Sequence, residues 1–173
     1  MNIFLIGYMG SGKSSVGKKL SEVLHYNFLD LDDYIQKKEN KSITEIFKNK
    51  GEIYFRKIEN KYLAEIESLK SNTIISLGGG TPCYGNNMEV IKNSKNSKSI
   101  YLKTSIVNLA NRLLIEKDNR PLISHIRNIE ELKEFIGKHL FERSPYYNQS
   151  DLIINTDQKS LDEVVQTIVA ELI

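Results

Sequence analysis

The stretch Gly7-Tyr8-Met9-Gly10-Ser11-Gly12-Lys13-Ser14 has the form G-x-x-x-x-G-K-S, which is the pattern of a phosphate-binding loop. The residues before it, Asn2–Ile6, are apolar and β-prone, and residues 15–24 after it carry apolar side chains at helical spacing. A strand, a glycine-rich turn and a helix in this order are the context that the motif requires. The stretch therefore predicts a nucleoside triphosphate site in which Lys13 reaches the β- and γ-phosphates and Ser14 ligates Mg²⁺.

The composition predicts one globular domain that covers residues 1–173. A net charge of +2 gives no sign of a polybasic surface for nucleic acid or membrane. The single cysteine, Cys83, excludes an internal disulfide and suits a reducing compartment. The sequence shows no apolar run of membrane-spanning length, no signal peptide and no apolar surface stripe. We therefore expect a cytoplasmic monomer without a membrane anchor.

Apolar strands alternate with amphipathic helices along the chain, and this alternation predicts an α/β fold with a parallel sheet. Helices are expected between the strands, and two of them begin at capping boxes, Ser42–Glu45 and Ser160–Glu163. Gly51 is expected to end the first of these and to precede a longer helix. The predicted strands are 3–6, 27–30, 73–76, 99–102 and 151–154, and the other predicted helices are 15–24, 88–92, 105–115 and 129–141.

Acidic and glycine residues follow two of the predicted strands. Asp30 and Asp32 come directly after the second strand, and Gly78, Gly79 and Gly80 follow the third. Ligands of parallel sheets bind beyond the carboxyl ends of the strands, so both groups are expected beside the phosphate-binding loop. Asp30 is a candidate magnesium residue, and Asp32 is a candidate partner for a substrate hydroxyl. Asp33 is better explained by the favourable charge of a carboxylate at a helix start.

Three arginines complete the set of candidate residues. Arg120 lies in a polar stretch and is placed to neutralise phosphate charge over the nucleotide. Arg56 and Arg143 would need a different anion, such as a carboxylate on the acceptor, which the planar guanidinium binds with two hydrogen bonds. Sequence spacing alone does not bring these two arginines together.

Six pieces of the sequence, in order, resemble the shikimate kinase family along nearly the whole chain: GYMGSGKS, FLDLD, GEIYFR, SLGGGTP, RPLI and RSPYY. The resemblance implies a three-layer α-β-α fold of the nucleoside-monophosphate-kinase type, with a five-stranded parallel sheet and a mobile lid. It implies an ATP-dependent phosphotransferase that acts on an alcohol group, the 3-hydroxyl of shikimate, in the route to chorismate and the aromatic amino acids.

The resemblance also implies roles for individual residues. The nucleotide site would comprise Gly10, Ser11, Gly12, Lys13, Ser14, Ser15, Arg112 and Arg120, and Ser14 and Asp30 would hold Mg²⁺. The shikimate site would comprise Asp32, Arg56, Gly78, Gly79, Gly80 and Arg143. Lys13, Asp32 and Arg120 would be the catalytic residues. Residues 116–128 would form the lid, residues 31–62 the substrate-binding segment, and residues 155–159 the loop along the adenine.

Other functions remain open from the sequence. A kinase for another small anionic polyol such as gluconate would share the fold and the phosphate-binding loop. A nucleotide-dependent switch is a more remote alternative, because the N-K pairs of the chain are not followed by the aspartate of a guanine motif. The three histidines, His25, His125 and His139, show no metal-ligand spacing and no evident partner, and they are expected to be structural or exposed.

Overall fold

The computed structural model describes residues 1–69 and 71–173 and contains one five-stranded sheet. All strand pairs are parallel, and the strand order is β2-β3-β1-β4-β5. The predicted α/β fold with a parallel sheet is confirmed, and each strand lies within two residues of its predicted bounds. The strands are β1 (Asn2–Ile6), β2 (Asn27–Asp30), β3 (Thr73–Ser76), β4 (Ser97–Lys103) and β5 (Leu152–Asn155).

Seven α-helices of the described residues cover the two faces of the sheet. They are α1 (Lys13–Leu24), α2 (Leu31–Glu39), α3 (Ile43–Glu67), α4 (Asn87–Asn93), α5 (Ile106–Glu116), α6 (Ile129–Tyr147) and α7 (Leu161–Leu172). Helices α1 and α7 pack on one face, and α2 to α6 supply the core of the other. The three layers agree with the predicted α-β-α arrangement. Within the described ranges, none of the helices combines the length and the apolarity that a membrane crossing needs.

The central strand β1 explains why the sheet is covered on both sides. Its side chains alternate between the faces, so Ile3 and Leu5 pack with α1 and α7 while Phe4 and Ile6 pack with the larger helical layer. All four side chains are completely buried. A parallel strand with apolar residues on both faces requires such double cover.

The predicted break at Gly51 is present inside α3. Gly51 has φ 83° and ψ 174°, a backbone conformation that side chains with a Cβ avoid, and it divides α3 into two helical pieces. The first piece begins at Ser42, whose hydroxyl accepts from the Glu45 N–H while the Glu45 carboxylate accepts from the Ser42 N–H. The kink directs the second piece, and with it Arg56, towards the carboxyl ends of the strands.

Helix α6 is longer than predicted. The sequence suggested a helix over residues 129–141 with Arg143–Tyr147 closing it, but the helix continues through Pro145 to Tyr147. Pro145 deprives the carbonyl of Phe141 of its helical partner, and Phe141 is 85% exposed, at the solvent side of the helix. Tyr147 is completely buried. The burial of this aromatic ring outweighs one weakened hydrogen bond, so the helix does not end at the proline.

Candidate active site

A cleft of about 520 Å³ opens at the carboxyl ends of the strands. It lies beside the phosphate-binding loop, between the start of α1 and the residues that follow β2 and β3. Several predicted site residues line it: Gly10, Ser11, Gly12, Lys13, Ser14, Ser15, Asp30, Asp32, Gly78, Gly79, Arg112 and Arg120. The fold therefore brings together residues that are far apart in the sequence.

The phosphate-binding loop presents backbone N–H groups and one lysine to the cleft. Gly12 occupies the N-cap of α1 with φ 94°, and having no side chain it leaves the N–H groups of the first turn for an anion. The Lys13 ammonium donates to the carbonyl oxygens of Gly7 at 2.8 Å and Tyr8 at 3.0 Å. Burial lowers the pKa of Lys13 to about 8, against the opposing charges of Asp32 and Asp30.

Asp30 has two separate tasks in the structure. Its Oδ1 accepts from the N–H groups of Asp32 at 3.0 Å and Asp33 at 3.3 Å, which caps α2. Its Oδ2 accepts from the Ser14 hydroxyl at 3.3 Å. Asp33 lies in the first turn of α2, where its carboxylate favours the helix, as expected. Asp30 is thus both a helix cap and one side of an oxygen pair at the phosphate-binding loop.

The oxygen pair of Ser14 and Asp30 suits Mg²⁺. This ion prefers oxygen ligands and commonly takes only one or two of them from protein while phosphates and water supply the rest. No cluster of three His, Cys, Asp or Glu residues that could hold a metal occurs in the part of the chain that the structure describes. The donor set therefore fits a magnesium ion that arrives with a nucleotide.

Asp32 lies between the phosphate-binding loop and the acceptor side of the cleft. Burial raises its pKa to about 6, and the negative charges of Asp30 and Glu59 add to the shift. The positive charges of Lys13 and Arg56 act in the opposite direction. A carboxyl group with this pKa is ionised at neutral pH and can still accept a proton, which is what a general base needs.

The three glycines after β3 each border a different predicted substrate residue. A Cβ on Gly78 would lie 3.5 Å from Asp32 Oδ1, and a Cβ on Gly79 would lie 3.2 Å from Arg143 Nη1. A Cβ on Gly80 would lie 2.9 Å from Arg56 Nη2, closer than real Cβ contacts allow. The glycine turn therefore borders Asp32, as expected, and also the two arginines, which sequence spacing could not connect.

Arg56 is fixed by an acid that sequence reasoning missed. Its Nη1 donates to Glu59 Oε1 at 2.9 Å, and Glu59 also accepts from the Thr81 hydroxyl at 2.8 Å. Only 1% of the Glu59 side chain is exposed. The signal was present in the sequence, since Glu59 interrupts the apolar stripe of Phe55, Tyr62 and Ile66 on α3. A lone acid on a buried helical face needs a cationic partner.

Arg143 rests on a tyrosine of the phosphate-binding loop. Its guanidinium lies 5.6 Å from the centroid of the Tyr8 ring, and the Tyr8 hydroxyl is 2.8 Å from His139 Nδ1. His139 thus has a partner, contrary to the expectation from sequence. The two residues are 131 positions apart, so no local pattern could reveal the contact. The Tyr147 hydroxyl donates to the Gly79 carbonyl and connects α6 to the glycine turn.

The nucleotide end of the cleft is lined by α5 and the loop after β5. Arg112 donates to the Gly10 carbonyl at 3.1 Å. Thr156 and Lys159 line the cleft from residues 155–159, the segment expected along the adenine. Asp157 accepts from Ser105 N at 3.1 Å and from Asn108 Nδ2 at 2.6 Å, which ties this loop to the start of α5.

The expected lid, residues 116–128, is partly anchored in the core. Ile123 is completely buried and Ile126 is 5% exposed, while Leu122 is 63% exposed. The Lys117 ammonium donates to the Ile126 carbonyl at 3.0 Å. Arg120 donates to Glu116 Oε2 from Nε at 3.0 Å and from Nη2 at 2.7 Å. In this conformation, Arg120 therefore forms an ion pair with Glu116.

Comparison with known proteins identifies the shikimate kinase family, which the sequence motifs resemble, over nearly the whole chain. A sequence model described as shikimate kinase matches residues 9–173. The chain is 49% identical over 166 residues to the shikimate kinase of Flavobacterium johnsoniae, an alignment that spans 96% of this chain and 95% of the relative.

Two solved structures are similar in fold. A shikimate kinase from Bacteroides thetaiotaomicron has a TM-score of 0.88 at 34% identity, with 99% of this chain and 98% of that chain covered. The shikimate kinase from Acinetobacter baumannii, solved in complex with shikimate, has a TM-score of 0.86 at 33% identity, with 99% and 92% covered. The likeness extends over the whole sheet and its helices.

Proposed function

The chain belongs to the shikimate kinase family, with the ATP-dependent phosphorylation of shikimate at its 3-hydroxyl as its reaction, and from this premise we propose how its own residues carry that reaction out. The observation that supports the proposal is the glycine turn 78–80, whose three glycines border Asp32, Arg143 and Arg56 in that order, next to the phosphate-binding loop. Two cations and one carboxylate in this arrangement suit a ring that bears a carboxylate and hydroxyl groups.

The acceptor is held by groups of opposite charge. Arg56 and Arg143 bind the shikimate carboxylate, because planar guanidinium groups pair with a carboxylate through parallel hydrogen bonds. Asp32 accepts hydrogen bonds from the ring hydroxyls. Because Gly78, Gly79 and Gly80 lack Cβ atoms, the side chains of Asp32, Arg143 and Arg56 can approach the backbone of the turn closely.

The phosphates are held by the loop and by two cations. The backbone N–H groups at the start of α1 face the phosphate oxygens, and the Lys13 ammonium moves from the Gly7 and Tyr8 carbonyls to the β- and γ-phosphates. Arg120 exchanges Glu116 for the transferred phosphoryl group when the lid closes, and Arg112 lies on the nucleotide side. Phosphoryl transfer depends mostly on such positioning and charge neutralisation.

Magnesium is proposed as the accompanying ion, held by Ser14 and Asp30. When bound, it neutralises negative charge on the phosphate oxygens. Asp30 also keeps its bonds to the N–H groups of Asp32 and Asp33, so the metal side and the acceptor side of the cleft are joined by one short segment of backbone.

Asp32 is proposed to orient the 3-hydroxyl and to take its proton as the phosphoryl group is transferred. Its pKa of about 6 leaves it ionised at neutral pH, near the value at which a base is most useful. Lys13 and Arg56 stabilise the ionised form from either side.

We also propose that the protein works as a cytoplasmic monomer. The residues assigned to both substrates come from a single chain, so the site needs no partner subunit. Cys83 is a free thiol and the only cysteine of the sequence, which suits a compartment without disulfide formation.

The test is ADP release from Mg-ATP with shikimate, with gluconate and without acceptor. Release with shikimate alone, reduced at least 100-fold in Arg56→Ala and Arg143→Ala, supports the proposal. Lys57→Ala is the matched control, because Lys57 neighbours Arg56 on α3 but is exposed, and it is expected to keep wild-type activity. Release with gluconate would overturn the acceptor assignment. Release without acceptor would favour a nucleotide-dependent switch.

A further inference from the structure

Tyr84 covers one face of the Arg56 guanidinium. It follows the short 3-10 turn Thr81–Cys83, directly after the glycine turn, and its ring centroid lies 3.8 Å from the Arg56 Cζ. Phe55, in contrast, lies 5.1 Å away. We propose that Tyr84 is a positioning residue that sets the affinity for the acceptor carboxylate by holding Arg56 in its binding orientation. The inference rests on the proposed function and adds a residue to it.

The edges of the guanidinium show why a face contact matters. Nη1 donates to Glu59 at 2.9 Å, and the guanidinium packs closely against Gly80, where a Cβ would lie 2.9 Å from Nη2. Nε lies 3.5 Å from a Glu52 carboxylate oxygen, yet it is buried and has no hydrogen-bond partner among the described residues. Nε is therefore the donor that is left for an acceptor.

A ring face can restrain a cation without using its hydrogen-bond donors. A further carboxylate would fix Arg56 equally well, but it would occupy N–H groups that the acceptor needs. The face of Tyr84 attracts the guanidinium through the negative charge of its π-system and leaves the donors at the edge free. It also shields the cation from water, since the Arg56 side chain is only 19% exposed. The stack therefore lowers the entropy that Arg56 loses when the acceptor binds.

The other acceptor arginine has a weaker form of the same support. Arg143 lies 5.6 Å from the centroid of Tyr8, compared with 3.8 Å for Arg56 and Tyr84. Tyr147, one turn further along α6, also lies beside it, and the positive charge of Arg143 opposes the burial that raises the pKa of the Tyr147 hydroxyl. Arg143 is thus placed next to Tyr147, the residue by which the end of α6 is buried. Arg56 depends more on its stacking partner.

The experiment measures shikimate affinity by isothermal titration calorimetry, together with kcat and KM, for Tyr84→Ala and Tyr84→Phe. We expect Tyr84→Ala to weaken binding and raise KM about 3- to 10-fold with kcat within about twofold of wild type. Tyr84→Phe keeps the ring face and is expected to bind within about twofold of wild type. Tyr146→Ala is the control, because it removes a tyrosine side chain of nearly the same exposure, 37% for Tyr146 and 36% for Tyr84.

A double-mutant cycle with Arg56→Lys separates positioning from general packing. Lysine lacks the planar group that stacks on the ring, so Tyr84→Ala should cost little further affinity in the Arg56→Lys background. Tyr84→Leu, which fills the same space without a π-face, is expected to bind like Tyr84→Ala and keeps the test valid if alanine disturbs folding.

The outcomes are distinguishable. Wild-type affinity in Tyr84→Ala, or an undiminished loss in the Arg56→Lys background, overturns the role of Tyr84 alone. A wild-type protein that binds no shikimate overturns the proposed function, and this inference with it.

Discussion

Asp32 and Lys13 are the two residues whose chemistry burial changes most in the cleft. Burial raises the pKa of the Asp32 carboxyl to about 6 and lowers the pKa of the Lys13 ammonium to about 8. The negative charge of Asp32 raises the pKa of Lys13, and the positive charge of Lys13 lowers the pKa of Asp32, so each opposes the effect of burial. Both groups are therefore ionised between a pH of about 6 and a pH of about 8. A base and a phosphate-binding cation are thereby available together in a window around neutral pH.

This window predicts the pH dependence of kcat/KM, which reports the groups of the free enzyme. Below a pH of about 6 Asp32 is protonated and cannot accept the hydroxyl proton, so kcat/KM falls towards acid. Above a pH of about 8 Lys13 loses its charge and the phosphates lose a partner, so kcat/KM falls towards alkali. The measurement is kcat/KM for shikimate from pH 5 to pH 9.

Asp32→Asn is the control for the acid limb. It keeps the size of the side chain and removes the base, so we expect kcat to fall about 100-fold or more and the acid limb near pH 6 to disappear. Turnover that barely changes while shikimate binding weakens would show that Asp32 only binds the acceptor. An acid limb near pH 4 in the wild type would contradict the raised pKa.

At the scale of the element, local signals in the sequence were reliable where backbone chemistry decides the structure. The two capping boxes and the Gly51 break were predictable because a few neighbouring residues determine them. The end of α6 was not, because Pro145 gives a local stop signal and the burial of Tyr147 against the rest of the fold overrides it.

The same distinction applies to the candidate site. Asp30, Asp32 and the glycine turn could be expected together because the carboxyl ends of parallel strands share one edge of the sheet. The contacts of Glu59 with Thr81 and of Tyr8 with His139 join residues of different elements, and neither sequence period nor spacing encodes them. Residues that follow strands were thus predictable, whereas the partners of Glu59 and Tyr8 were not.

Two glycines in helices should respond oppositely to alanine. Gly51→Ala forces a Cβ into a backbone with φ 83° and ψ 174°, although the space around it is open, and it should lower the free energy of unfolding by about 1–3 kcal/mol. At Gly137, inside α6, a new Cβ would meet only Ile106 Cδ1, at an ordinary 3.8 Å. Gly137→Ala should therefore raise the free energy of unfolding by about 0.5–1 kcal/mol.

Denaturant unfolding of both variants beside the wild type checks the two signs. Because the substitution is the same, a difference in sign must come from the backbone and the surroundings of each glycine. A Gly51→Ala protein as stable as the wild type would mean that the two pieces of α3 can join without the kink.

At the scale of the whole molecule, the segment that we propose as a lid is fastened at few points. Residues 116–128 touch the core through Ile123 and Ile126, and the bond from Lys117 to the Ile126 carbonyl closes the segment on itself. Opening the lid therefore requires little more than the exposure of two isoleucines. Removal of the Ile123 or Ile126 side chain should therefore change the equilibrium between closed and open lid far more than removal of an exposed side chain such as Leu122.

Ile123→Ala tests this anchoring against Leu122→Ala. Removal of the buried side chain should make lid opening easier by about 2 kcal/mol or more and speed tryptic cleavage after Arg127 at least about 10-fold. Leu122 is 63% exposed, so Leu122→Ala should be cleaved at the wild-type rate. Mg-ATP with shikimate should slow cleavage in all three proteins. Equal cleavage of the two variants would contradict the proposed anchoring.

The turn formed by Gly78, Gly79 and Gly80 has a consequence for inhibition and for resistance. An inhibitor that fills the space above these glycines touches backbone atoms that no substitution can remove. A side chain introduced there to exclude the drug would approach Asp32, Arg143 or Arg56, the groups that we assign to the acceptor. Escape mutations in this turn would therefore carry a loss of activity, which makes it the part of the cleft where a drug is hardest to evade.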